Sequence, residues 1–137
     1  MSDKITVEVK IEKDIHSVWN SWTAPEHITH WNFASDDWIC PHAENNLKPG
    51  GRFSYRMEAK NGKVGFDFSG EYGLVDVNKT IEFSLDDGRK TTIRFSAVGD
   101  GTKITETFDA DKSAPLEMQK NGWQAILNNF KKYTEGL

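Results

Sequence analysis

Cysteine is nearly absent. Cys40 stands alone among 137 residues, so no internal disulfide framework can form. A basic stripe is also missing. Lys and Arg number 17 against 21 Asp and Glu, the formal net charge is -4, and the two signs are interspersed. A nucleic-acid surface normally clusters positive charge, so no nucleic-acid partner is expected. No apolar run is long enough to cross a bilayer, and Met1-Ser2-Asp3-Lys4 carries no apolar signal region. Membrane insertion is therefore not expected, and a soluble cytoplasmic protein is. Internal repeats, low-complexity tracts and linkers are lacking, which predicts one domain over residues 1–137. Phosphate loops, nucleophile elbows and dinucleotide fingerprints are lacking too. No catalytic residue and no cofactor is assigned.

Rings, by contrast, are plentiful. Eight Phe, five Trp and three Tyr make 12% of a chain that is only 36% hydrophobic. A core or a pocket built largely of rings follows. The longest helical pattern is the stretch from Pro115 to Thr134, where Trp123, Ile126, Leu127, Phe130 and Tyr133 recur at steps of three and four. Twenty such residues make a rod about 30 Å long. Ser113 is placed to cap it, and Pro115 fits its first turn.

Most of the remainder reads as strands. Ile5, Val7, Val9 and Ile11 alternate with polar residues, as do Phe53, Tyr55, Met57 and Ala59. Asn61-Gly62 signals a hairpin, after which Val64, Phe66, Phe68, Tyr72 and Leu74 keep one parity through Gly70. Glycine inside that strand predicts a bend or bulge. Further strands run through Ile81–Leu85 and Ile93–Ala97, each closed by a glycine turn, and the last through Ile104–Phe108. Between the first strand and this meander, Asp14 offers an N-cap to a short helix bearing Ile15, Val18, Trp19 and Trp22. Thr23 with Glu26 three residues on forms a capping-box pattern for a second short helix, expected to end near His30 or Trp31. Residues 32–47 read as irregular, with a short strand at Trp38-Ile39-Cys40. The predicted fold is α+β: a curved antiparallel sheet of about six to seven strands wrapped around a long C-terminal helix, a helix-grip arrangement.

Several of these residues also carry a family likeness. Val18-Trp19, Trp22-Thr23, Pro25-Glu26 and Trp31, followed by Gly50-Gly51-Arg52-Phe53, Gly70-Glu71-Tyr72 and Gly122-Trp123 with Leu127, resemble the SRPBCC (START-like) superfamily. Within it they resemble the branch named after the activator of the ninety-kilodalton heat-shock chaperone's ATPase. A closer likeness, to small uncharacterised bacterial proteins, rests on His27-Ile28, Trp31-Asn32-Phe33-Ala34, Gly65-Phe66-Asp67-Phe68, Glu106-Thr107-Phe108-Asp109 and Gly122 to Leu127. The resemblance implies a deep cavity between sheet and helix. Relatives use theirs for lipids, polyketide-like aromatics, sterols and plant hormones, as carriers or sensors and in some cases as cyclases or hydrolases. They share no catalytic motif, so none is carried over. The chaperone-activating role belongs to a larger protein with a second domain, for which this chain leaves no room.

Tyr55, Met57, Phe66, Phe68, Trp123 and Leu127 are predicted to face one another between sheet and helix, with Gly70 and Gly122 withdrawing volume from the same interior. They make either a solid core or the wall of a pocket. Glu106 sits at the inward parity between Ile104 and Phe108. It is either a polar anchor or acid/base, or it is turned out by a bulge or bonded to Tyr55 or Trp123. Trp31, Phe33 and Trp38 either line the entrance or plug one end of the core. His27, His30, Cys40 and His42 are zinc-compatible types at no tight spacing, so no metal is assigned. The expected function is binding of a small hydrophobic or aromatic molecule, lipid-like or polyketide-like, as carrier or sensor. An enzyme using Glu106 and a chaperone-interacting module are the alternatives. No protein partner is identified.

Overall fold

The computed structural model describes residues 3–137. The N-terminal reading at Met1 and Ser2 lies outside them. Seven strands form one sheet: β1 (Lys4–Ile11), β2 (Trp38–Asn45), β3 (Arg52–Ala59), β4 (Gly65–Asp76), β5 (Thr80–Leu85), β6 (Lys90–Val98) and β7 (Gly101–Asp109). Their order across the sheet is β1-β7-β6-β5-β4-β3-β2, and every neighbouring pair is antiparallel. Helices α1 (Ile15–Thr23) and α2 (Pro25–Ile28) connect β1 to β2, and so carry the chain from one edge of the sheet to the other. The sheet curls into a half-barrel against the long helix α3 (Leu116–Glu135). This is the α+β helix-grip fold that the alternation of strands and the single long amphipathic stretch imply.

The outer face of the sheet is polar. Arg52 pairs with Asp86 at 2.6 Å, Lys103 with Glu8 at 3.2 Å, and the hydroxyls of Thr6 and Thr107 meet at 3.1 Å. The inner face holds the core, in which Ile11, Val18, Ile28, Ile104, Leu127 and Phe130 are fully buried. Helix α3 lies along β1, an edge strand. The Gln124 side chain donates to the Glu8 carbonyl at 3.0 Å, and Lys131 Nζ donates to the Lys10 carbonyl at 2.6 Å. Farther along, the Glu12 amide donates to the Glu135 carboxylate at 2.7 Å. The edge is thereby covered instead of left open for pairing.

Several local expectations are corrected. Leu74 does not share the parity of Tyr72. Tyr72 pairs with Phe83 but Val75 with Ile81, so one extra residue bulges on β4 and turns Leu74 outward, 46% exposed. The bulge sits at Gly73-Leu74; Gly70 serves close approach instead, because a Cβ there would run into the Ser84 carbonyl and the Phe53 ring. The segment expected to be mostly irregular contains an eight-residue edge strand, β2, whose alternation is broken by a register shift between Ile39 and His42. Pro41 sits in that shift, where its missing donor is tolerated.

The predicted caps fare unequally. Asp14 does cap α1, accepting from the Ser17 amide at 3.4 Å and from its hydroxyl at 2.6 Å. Thr23 does not cap α2. It is the last residue of α1, and its hydroxyl donates back to the Trp19 carbonyl at 2.8 Å. Helix α2 ends at Ile28, short of the expected His30. Ser113 donates to the Asp111 carboxylate instead of capping α3. No side chain caps α3; Gln119 instead ties the helix to the loop before it, accepting from the Asp111 amide at 2.7 Å and donating to the Ala114 carbonyl at 2.9 Å.

Candidate functional site

The space between sheet and α3 is filled at one end and hollow at the other. The filled end is aromatic. Trp22 stacks on Trp31 with ring centres 4.7 Å apart, and both meet Phe130 edge-on at 4.9 and 4.8 Å. The Trp31 indole donates to the Ser21 carbonyl at 2.9 Å, and Asn129 of α3 donates to the Trp31 carbonyl at 2.9 Å. These bonds satisfy polar groups that would otherwise be orphaned by burial. They also lock α1, the segment after α2 and the C-terminal half of α3 into one block.

Toward the N-terminal half of α3 a cavity of about 370 Å³ opens. Trp22 and Trp31 form its floor. Phe53, Tyr55, Phe68, Tyr72 and Phe83 line the sheet side, Trp123 and Ile126 the helix side, and Arg89 and Asp111 also border it. Trp123 is held by stacking on Phe108, with centres 3.8 Å apart and planes 13° from parallel, and it meets Phe68 edge-on at 6.1 Å. Arg89 donates to Asp87 at 2.8 Å and lies 3.9 Å from the Asp111 carboxylate. That size falls at the low end of small-molecule pockets.

Glu106 borders this cavity and is 4% exposed. Its cross-strand neighbours are Val7 on β1 and Ile93 on β6, both apolar and buried. No hydrogen bond from any described residue reaches its carboxyl, so neither Tyr55 nor Trp123 is its partner. Burial alone pushes its pKa from 4.5 to about 8. The carboxyl is therefore mostly protonated at neutral pH.

A second polar region lies on β3 and β4. Tyr72 donates to the Asn45 side chain at 2.6 Å, and Asn45 donates to the Thr23 carbonyl at 2.7 Å. Burial pushes the Tyr72 hydroxyl up to about 12 and, together with the neighbouring Tyr72, raises that of Tyr55 well above its ordinary value. Both phenols stay neutral. Asn32, also on the cavity, donates to the Met57 sulfur at 3.4 Å.

Of the residues singled out in the sequence, Trp31, Tyr55, Met57, Phe66, Phe68, Glu106 and Trp123 border the cavity. Three do not. Leu127 is fully buried in the core, Phe33 packs half-buried against that core, and Trp38 braces Phe66 edge-on at 6.0 Å. Phe66 itself is 50% exposed at the start of β4. Gly122 does not withdraw volume from a packed interior, because a Cβ there would meet nothing within 4 Å. Trp22, Phe53, Tyr72, Phe83, Ile81 and Ile93 border the cavity without having been singled out, as do Asn32, Ile126, Arg89 and Asp111. The inward parity of the strands was the signal for most of them. Arg89 and Asp111 gave none, since charged residues beside turns ordinarily read as solvated.

The histidines and Cys40 are engaged locally. His27 Nδ1 shares a hydrogen bond with the Tyr133 hydroxyl at 2.6 Å, His30 stacks on the same ring, and His42 contacts Glu44 at 3.1 Å. Cys40 is buried, its thiol donating to the His42 carbonyl at 3.6 Å, and burial pushes its pKa up. Among the described residues no group of three or more His, Cys, Asp or Glu is placed to hold a metal ion. Nor is any helix among them long and apolar enough to cross a membrane.

Residues 13–135 match the family model described as activator of Hsp90 ATPase homolog 1-like protein. Among solved structures, an AHSA1-like protein from Aeromonas hydrophila is 42% identical, with a TM-score of 0.92 over 98% of this chain and 93% of that one. A protein from Cytophaga hutchinsonii is 50% identical, with a TM-score of 0.85 over 97% and 92%. One from Chromobacterium violaceum is 18% identical and shares the fold, with a TM-score of 0.87 over 97% and 98%. Among curated proteins, none matches the chain.

Proposed function

The chain belongs to the family of activator of Hsp90 ATPase homolog 1-like proteins, and from that premise we propose that it works as one cytoplasmic domain that binds a small hydrophobic or aromatic molecule in the cavity between sheet and helix. The observation that carries this reading is the Glu106 carboxyl, buried beside an aromatic hollow with no bonding partner among the described residues. Such a group costs stability, typically about 1–3 kcal/mol, unless something enters to satisfy it. Burial of a ligand's rings against Phe53, Phe68 and Trp123 would supply affinity, and Glu106 or Tyr55 would orient its polar end.

The test is a thermal-shift and chemical-shift screen against lipids, flavonoids and polyketide-like aromatics. A binder at a hundred times its Kd stabilises the native state by about 2.7 kcal/mol, which reads as a clear rise in Tm. Shifts should centre on the Trp123 and Trp31 indoles. No rise with any class, with unperturbed indole signals, would sink the carrier reading.

The same carboxyl supports a second reading, an enzyme acting on the bound molecule with Glu106 as acid/base. A carboxyl titrating at about 8 is poised near working pH for proton transfer. In that case Glu106→Gln abolishes turnover while binding persists. A chaperone contact, the role behind the family's name, would need an apolar surface, and the sheet's outer face is instead laced with ion pairs such as Arg52–Asp86 and Lys103–Glu8.

A further inference from the structure

The chemistry around Glu106 narrows what the cavity would take. Space sets the first limit. At the roughly 30 Å³ that a water molecule occupies in the liquid, 370 Å³ holds about a dozen non-hydrogen atoms, a two-ring molecule. Shape sets the second. Trp123 lies nearly parallel on Phe108, and Tyr55 and Phe68 are stacked with planes 25° apart, so fixed ring faces bound the hollow and suit a flat ligand.

Charge sets the third. Val7 of β1 and Ile93 of β6 flank the Glu106 carboxyl, and α3 brings Trp123 and Ile126 to the cavity. Titratable groups on the cavity are Tyr55 of β3, Tyr72 of β4, and Arg89 and Asp111. Tyr72 is committed to Asn45, and Arg89 to Asp87 and Asp111. None supplies the carboxyl with a countercharge, so it keeps its proton. A protonated carboxyl presents an O–H donor beside a C=O acceptor. The matching edge is an N–H beside a C=O. A hydrocarbon would leave both halves unpaired. A cationic amine would require an ionised carboxyl and take a second charge out of water.

We propose that the cavity binds a neutral, flat, two-ring molecule that carries a donor and an acceptor side by side on one edge, as a lactam does, and that Glu106 in its acid form receives that edge through two hydrogen bonds. This rests on the reading of the cavity as a binding site and adds the chemistry of its ligand.

The test uses three probes of similar shape: isoquinolin-1-one (a two-ring lactam), naphthalene, and 1-naphthylmethylamine. Affinities are measured by calorimetry or protein NMR for the native chain, Glu106→Gln and Glu106→Leu. The native chain is expected to bind the lactam at pH 7 about ten- to a hundredfold more tightly than naphthalene, the gain typical of two net hydrogen bonds. Lactam affinity is flat below pH 7 and drops about tenfold between pH 7 and pH 9, as Glu106 loses its proton. Glu106→Gln has a donor and an acceptor in the same places and no charge to gain. It keeps lactam binding and removes the pH dependence. Glu106→Leu binds lactam and naphthalene alike.

Equal affinities for lactam and naphthalene in the native chain would overturn the lactam assignment and leave the cavity reading standing. Amine binding that exceeds lactam binding and strengthens with pH would overturn it as well, in favour of an ionised anchor. Failure of the native chain and both variants to bind any of the three probes would overturn the assignment and count against the cavity reading together. The probe comparison on the native chain reads out even if a variant fails to fold.

Discussion

Replacing Glu106 by Gln is expected to stabilise the protein, by an amount that grows with pH. In the folded chain the carboxyl holds its proton up to about pH 8, whereas the unfolded chain releases it near 4.5. Between those two values the folded state binds one more proton than the unfolded state. Raising the pH therefore pulls the equilibrium toward unfolding, by about 1.4 kcal/mol per pH unit. Over the whole window the native chain loses about 5 kcal/mol, a large part of the 5–15 kcal/mol that holds most domains together. Glutamine has nearly the same shape as protonated glutamate and does not titrate. The variant should match the native chain within about 1 kcal/mol at pH 5 and exceed it by about 4 kcal/mol at pH 8.

For a chain of this length, about 3–4 °C of Tm accompanies each kcal/mol, so the melting curves should part by about 15 °C at pH 8. Urea unfolding followed by tryptophan fluorescence at pH 5, 6.5 and 8 measures the difference directly. Carboxylates whose pKa is lowered, among them Asp86 by Ser69 and Arg52 and Asp109 by Lys4 and the Lys90 amide, contribute equally to both proteins and cancel. Parallel stability curves from pH 5 to pH 8 would refute the reasoning. They would mean that the carboxyl finds a partner in solution or titrates as an exposed one does.

Three further substitutions test the packing around the site. Gly122→Ala should raise stability by about 0.5–1 kcal/mol in thermal unfolding, since a Cβ there meets nothing and alanine favours the helix. Thr134→Val should stabilise by about 1 kcal/mol in the same assay, because the Thr134 hydroxyl is buried without a partner among the described residues and the methyl fills the same space. Trp123→Ala should cost about 2–4 kcal/mol by denaturant titration through loss of its stacking on Phe108, and should weaken binding of any aromatic ligand that raises the native Tm.

Strict alternation made most strands readable, because a half-buried sheet face imposes a period of two. It failed where the backbone broke that period. The bulge at Gly73-Leu74 and the shift around Pro41 each insert a residue that composition does not mark, so Leu74 was read on the wrong face and most of β2 as irregular. Caps were misread for a related reason. Thr23 and Ser113 have side chains able to cap a helix, but where the chain turns in three dimensions sends Thr23 back to the Trp19 carbonyl and Ser113 to Asp111, so neither α2 nor α3 has a side-chain cap. Within the site, Glu106 was legible because a carboxylate between Ile104 and Phe108 contradicts its surroundings. Its lack of a partner was not legible, since the neighbours facing it come from β1, β6 and α3. Leu127 and Ile126 show the same limit on a helix. Both belong to the apolar stripe, and only the packing decides that Ile126 meets the hollow while Leu127 enters the core.

The bonds from α3 to the rim of β1 set a limit on how the cavity can be loaded. Gln124 and Lys131 occupy carbonyls that β1 would otherwise offer to a second chain, and Glu135 holds the amide just past its end. Swinging the whole helix away to admit a guest would strip that cover and invite strand pairing between molecules. Loading and solubility are thus in competition from Gln124 to Glu135 and free of it along the first turns of the helix, Leu116 to Trp123, which make none of these bonds. Uptake is expected to work by local breathing around Gly122 and Trp123, with the far end fixed as a pivot. Amide exchange in β1 that stays as slow during ligand exchange as without ligand would accord with a pivot, and exchange that speeds up would contradict it.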